Sequence, residues 1–212
     1  MTSIERRHDR RIQRTQQLLR QAFIEIMREK GFAAMSVRDI TERANVNRGT
    51  FYIHFTDKYM LLDEVVRDKF GQLVTSSLPP DPKWDKRTLH LLILTVLDCF
   101  EGKYHHRLPA SRFPAALLER AIHKELTGLL FTWLKKESSE SCLERLNEEI
   151  PEDSEELLTL EAKAQAAGWA IFGSAIDWSQ KPIKIPAEQM ADAILMLIME
   201  GVSRETPGQT PG

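Results

Sequence analysis

Residues 36–62 read SVRDITERANVNRGTFYIHFTDKYMLL, and the punctuation inside this stretch decides the fold. Ser36 with an acid three positions later, Asp39, is the chemistry of a helix start, because the hydroxyl and the carboxylate satisfy amides that have no partner in the first turn. Val37, Ile40 and Ala44 then share one helical face, so a short helix is predicted to about Ala44. Asn45-Val46-Asn47 is a turn whose two asparagines tolerate left-handed or capping geometry. Asn47 caps a third helix running through Phe55, in which Phe51 and Phe55 point inward at i and i+4. Thr56 or Asp57 starts a fourth, with Leu61, Leu62, Val65, Val66, Phe70 and Leu73 at helical spacing.

Two short helices joined by a three-residue turn have the anatomy of a helix-turn-helix. If the phenylalanines face inward, Asn47, Arg48, Thr50, Tyr52 and His54 face outward, crowded at the N-terminal end that a recognition helix pushes into the major groove. Arg48 suits a guanine edge and Asn47 an adenine edge. Thr50 and Tyr52 suit phosphate oxygens or a thymine methyl. Gly49 removes a side chain where the backbone would approach DNA. Lys58 is placed to reach a phosphate.

Upstream, Ile12, Leu19, Ala22, Phe23, Ile26 and Met27 stripe a first helix over 9–30 that Gly31 closes. Arg6, Arg7, Arg10 and Arg11 are expected to form a flexible basic arm that tracks the DNA backbone or minor groove. The charge is uneven in the same sense. Residues 1–58 hold 12 Lys or Arg against 7 Asp or Glu, and the remaining residues hold 17 against 24, within a formal net charge of −2. A basic head on an acidic body fits a head that meets a polyanion.

Residues 36–62 resemble the DNA-binding domain of the TetR family of bacterial transcriptional regulators, and the resemblance runs through four helices over residues 12–70. It implies that Ser36 touches phosphate as well as capping its helix. It also implies that Arg38, Asn47, Arg48, Gly49, Thr50, Tyr52, His54 and Lys58 lie at DNA-contacting positions. The partner is then double-stranded DNA with a palindromic operator, and the expected function is a repressor released from that operator by a small-molecule effector. Activation is the alternative.

Downstream, Leu78-Pro79-Pro80-Asp81-Pro82 cannot continue a helix, since proline lacks the amide and clashes with the preceding turn. The expected organisation is a helix-turn-helix domain over 9–56, a connecting helix over 57–76, an effector-binding and dimerisation domain over 84–204, and a disordered tail over 205–212. Helices are predicted at 86–102, 114–136, 155–178 and 187–202, with a short helix and loop over the Ser- and acid-rich residues 138–153. With no strand pattern, the class is all-α. The Ala- and Gly-rich helix 155–178 and the apolar helix 187–202 are suited to close packing against copies of themselves, so a homodimer is expected through these two. One recognition helix contacts too few base pairs to specify a genomic site, which also calls for two copies.

An effector pocket is expected among the helices of the larger domain, with Phe100, Tyr104, His105, Phe113, Trp133, Trp169 and Phe172 as wall candidates. No cofactor is expected. No metal is either, since His105 and His106 would point apart on a helix and need a third ligand such as His90, His123 or Cys99. An enzyme is disfavoured because the chain lacks a Gly-rich phosphate loop, His-Glu-x-x-His and Gly-x-Ser-x-Gly. A nonspecific architectural DNA binder is the other rival. The absence of an apolar span or a secretory leader predicts a cytoplasmic protein without membrane contact. Cys99 and Cys142 are read as reduced thiols.

Overall fold

In a computed structural model of the chain, the described residues are 3–101, 115–144 and 154–202, and they form eight helices and no strand. These are α1 (Ser3–Ala34), α2 (Val37–Ala44), α3 (Arg48–His54), α4 (Lys58–Ser77), α5 (Lys86–Phe100), α6 (Ala115–Glu144), α7 (Ser154–Gln180) and α8 (Ala187–Val202). The chain divides into two compact units, Met1–Lys69 with His106–Ala121, and Phe70–His105 with Ile122–Gly212. The division falls inside α4, ahead of the proline run.

The first unit is built on caps. At Ser36 both halves of the capping box are made: the Asp39 amide donates to Ser36 Oγ at 3.2 Å and the Ser36 amide donates to Asp39 Oδ2 at 2.7 Å. Asn45 ends α2 in the left-handed region at φ 52°, and its N–H returns to the Thr41 and Glu42 carbonyls. That conformation is costly for most residues and mild for asparagine. Asn47 Oδ1 accepts from the Gly49 amide at 2.8 Å and opens α3. Asp57, rather than Thr56, opens α4, its Oδ1 accepting from the Tyr59 and Met60 amides.

These caps orient helices whose apolar faces meet in one core. Leu19, Phe23, Ile26 and Met27 from α1, Ile40 and Ala44 from α2, Phe51 from α3, Phe55 beyond it, and Leu61, Leu62 and Val65 from α4 are all buried. Phe23 and Phe32 meet edge to face at 6.2 Å, and Phe51 and Phe55 lie 5.5 Å apart. Gly31 interrupts α1 at φ 79°, a backbone that only glycine adopts freely, and the chain turns there toward α2. On the surface, Arg43 bridges to Glu29 at 2.7 Å and to Glu25 at 3.3 Å, while Lys30 pairs with Asp39 at 2.7 Å and Arg20 with Glu64 at 2.6 Å.

Two differences from the expected elements stand in and beside this unit. The helix α1 begins at Ser3, so the backbone carrying Arg6, Arg7, Arg10 and Arg11 is helical instead of an irregular arm. Also, α6 runs on through the Ser- and acid-rich residues to Glu144. Ser139 Oγ folds back onto the Lys135 carbonyl and Ser138 Oγ donates to Glu156, so the hydroxyls are absorbed without breaking the helix.

The second unit packs α5 against α7 and α8. Asp85 caps α5 by accepting from the Thr88 amide and hydroxyl. Leu89, Leu92, Ile93, Val96 and Leu97 are buried from that helix, together with Leu126, Leu130 and Trp133 of α6, Ile171 and Trp178 of α7, and Ile194 and Ile198 of α8. The small residues of α7 split between two faces. Ala164, Ala167, Gly168 and Ala175 are buried within the protomer, whereas Ala162, Ala166, Trp169 and Gly173 form an exposed stripe at helical spacing. The Trp178 indole N–H donates to the Ile185 carbonyl at 2.9 Å and ties down the connector over 181–186. No helix among the described residues is long and apolar enough to cross a membrane.

Candidate DNA-binding surface

The inward pair Phe51 and Phe55 fixes what α3 presents to solvent. Asn47, Arg48, Gly49, Tyr52 and Ile53 are exposed, and Thr50 and His54 are half-buried on its flanks. Arg48 Nη2 donates to Tyr52 Oη at 3.2 Å and its guanidinium lies 5.6 Å from the ring centroid, so the cation is held along the helix face by a neutral partner. This distinguishes Arg48 from its neighbours. Arg20, Lys30 and Arg43 are ion-paired to carboxylates of α1, α2 or α4, and Arg38 is paired along its own helix to Glu42 at 2.7 Å. A phosphate at Arg38 would compete with that carboxylate.

Gly49 carries information through what surrounds it. A Cβ there would meet Asn47 Oδ1 at 3.5 Å, an ordinary contact, and the residue has no positive φ. Nothing inside the fold requires glycine.

Lys58 sits differently from an open phosphate ligand. Its ammonium donates to the Phe32 and Met35 carbonyls at 3.0 and 2.8 Å and lies 4.5 Å from the Phe32 ring centroid. It therefore caps the carbonyls that end α1 and start the turn to α2. Ser36 is exposed, but its hydroxyl is engaged with Asp39 at 2.6 Å. That carboxyl is held well below the usual carboxylate range, first by the Lys30 ammonium and then by the Ser36 hydroxyl and amide.

One residue of this face escapes a reading for polar groups. Ile53 is 79% exposed beside Tyr52 at 48%, on the same side as Arg48 and Gly49. Helical spacing from the inward phenylalanines gives its direction, and its apolar chemistry suits a thymine methyl.

Of the expected pocket residues, Tyr104, His105 and Phe113 lie outside the described residues. Phe100 and Phe172 meet edge to face at 5.6 Å, and Trp169 lies 6.0 Å from Phe172. Trp133 is buried, with no ring contact to that group among the described residues. No cluster of three metal-ligating side chains is present among the described residues.

Residues 19–65 match the model of the bacterial regulatory proteins of the tetR family. The chain is 34% identical over 71 residues to YxbF, an uncharacterized HTH-type transcriptional regulator of Bacillus subtilis, covering 33% of this chain and 19% of that one. It is 28% identical over 119 residues to the HTH-type transcriptional repressor KstR2 of Rhodococcus jostii, covering 53% of this chain and 52% of that one. The chain thus matches about a fifth and about half of the length of these curated relatives. Among solved structures, RolR in complex with resorcinol superposes with a TM-score of 0.54 at 19% identity, over 94% of this chain and 98% of that one. At that identity the likeness is one of fold, and it extends through both units.

Proposed function

We propose that this chain is a DNA-binding transcriptional regulator of the TetR family, a cytoplasmic homodimeric repressor that holds a palindromic operator with α3 and lets go when a small-molecule effector binds the second unit. The observation that carries this reading is the face Arg48, Gly49, Tyr52 and Ile53. It is exposed, it has a cation without a carboxylate partner, and it has a glycine that the fold does not need. In this reading Arg48 contacts a base edge, Asn47, Thr50, Tyr52 and His54 flank it on bases and phosphates, and Gly49 admits the backbone. Ser36 and Arg38 meet the phosphates of one strand, and Lys58 supports the turn beside them.

Two copies are needed for a site of useful length. The small exposed residues Ala162, Ala166 and Gly173 on α7 and the exposed Met196 and Leu197 on α8 support the pairing surface, because small residues admit close helix approach and large apolar ones gain from being covered. Release follows if the effector favours a spacing of the two α3 helices that does not fit the operator. Differential binding of ~1–3 kcal/mol is the usual scale of such coupling. Phe100, Trp133, Trp169 and Phe172 are the described candidates for the effector's surroundings.

Selection of duplexes from fragmented genomic DNA at physiological salt tests the reading. It predicts enrichment of a two-fold symmetric sequence with half-sites about one helical turn, or a multiple of it, apart. Retention of all fragments alike would point to an architectural binder.

A further inference from the structure

In the second unit, two buried polar side-chain atoms have no hydrogen-bond partner: His123 Nε2 and Thr127 Oγ1. They stand four residues apart on α6 and so share one helix face. His123 is only 8% exposed. An orphaned buried polar atom is costly, and two side by side are seldom kept without something that uses them.

What encloses them is aromatic. The His123 ring lies 3.9 Å from the Trp169 ring, centroid to centroid, at an interplanar angle of 32°, and 5.4 Å from Phe172, which in turn meets Phe100 at 5.6 Å. The Trp169 indole is 55% exposed, so it covers His123 on one side and faces solvent on the other. Across from the polar pair is Gly168, whose missing side chain matters here. A Cβ at this position would come within 2.6 Å of Thr127 Oγ1 and 3.6 Å of His123 Nε2. Any other residue at 168 would press on Thr127 Oγ1, while its contact with His123 Nε2 would be an ordinary one.

We propose that His123 and Thr127 are the polar anchor of a ligand site that takes a small, uncharged molecule with a flat apolar body and a hydroxyl group, entering where Trp169 swings aside. The inference rests on the regulator reading only in taking this molecule for the effector. The hydroxyl donates to His123 Nε2, with the imidazole proton on Nδ1, and accepts from the Thr127 hydroxyl, so both orphans are satisfied by one group. The flat body takes the place beside the His123 ring that the Trp169 indole now fills, with Phe172 at its edge. Burial pushes the His123 pKa down, which favours the neutral imidazole. Phe100, His123, Thr127, Gly168, Trp169 and Phe172 bring no full charge to the site, so a charged ligand would be desolvated there without compensation.

Calorimetric titration of the full chain without DNA tests the proposal, with phenol as the probe and toluene as its counterpart of similar shape lacking the hydroxyl. Phenol is expected to bind saturably and at least about tenfold tighter than toluene, the scale of one satisfied buried hydrogen bond. Thr127→Val, nearly the same shape, is expected to lose that preference while its thermal midpoint stays the same or rises, since it removes an orphaned hydroxyl. His123→Phe should behave alike. Absence of phenol binding, equal binding of phenol and toluene, or an undiminished preference in a folded Thr127→Val would each overturn the proposal. Because no DNA is present, such a failure leaves the operator reading standing. Conversely, a failed operator selection leaves a measured phenol site in place.

Discussion

At Gly49 two demands that usually coincide come apart. Glycine in a helix costs up to about 1 kcal/mol relative to alanine, and here neither backbone angle nor neighbouring atoms require it. Gly49→Ala is therefore expected to leave thermal stability unchanged or raise it, while weakening operator binding. Melting by circular dichroism beside a DNA titration separates the two effects, and equal affinity of the variant would remove the close-approach role. Asn45 is the opposite case, because its φ of 52° is a requirement of the turn itself. Such residues are legible in sequence because their chemistry is local. The side chain of Ser36, Asn47 or Asp57 bonds amides two or three residues away. Lys58 was not legible in the same way, since the Phe32 and Met35 carbonyls it serves are brought to it by the fold from more than twenty residues upstream.

At the scale of elements, α2 is held to α1 by apolar packing of Ile40 and Ala44, with ion pairs added at its surface. Asp39 accepts from Ser36 at its own helix start and from Lys30 across the gap at 2.7 Å, which depresses its pKa from an unfolded value of about 3.9. A carboxylate whose folded pKa is lowered stabilises the fold above the unfolded pKa, and that stabilisation fades as pH falls below about 4. Urea unfolding of the chain and of Asp39→Asn should therefore differ most near neutral pH, with the difference shrinking steadily as pH falls below about 4. A gap independent of pH would show that the Asp39 charge contributes nothing. Element identity was readable from apolar spacing in α1 to α5, α7 and α8. The extent of α6 was not, because its serines and acids look like a loop until their hydroxyls are seen bonded to the helix's own carbonyls or to α7. The ring cluster was equally hidden. Phe100, His123 and Phe172 lie on three helices, and only packing reveals that the first two meet the third.

For the whole molecule, two-site recognition stands or falls with self-association. The α8 stripe at Met190, Ile194, Leu197 and Ile198 divides on folding: Ile194 and Ile198 go inward, while Leu197 remains 62% exposed. Leu197→Glu should then leave the helical content intact, halve the mass seen by light scattering at micromolar concentration, and reduce operator affinity. A wild-type chain that is monomeric there would remove the pairing surface. The central claim remains the α3 face. Its most direct measurement is the affinity of Arg48→Ala for the selected palindromic duplex at physiological salt, with its far-ultraviolet spectrum and melting recorded in parallel. The account predicts a folded variant weakened by ~1–3 kcal/mol, about tenfold to a hundredfold, with its preference relaxed at one base position in each half-site. A folded variant that binds the duplex as tightly and as selectively as the unaltered chain would contradict it.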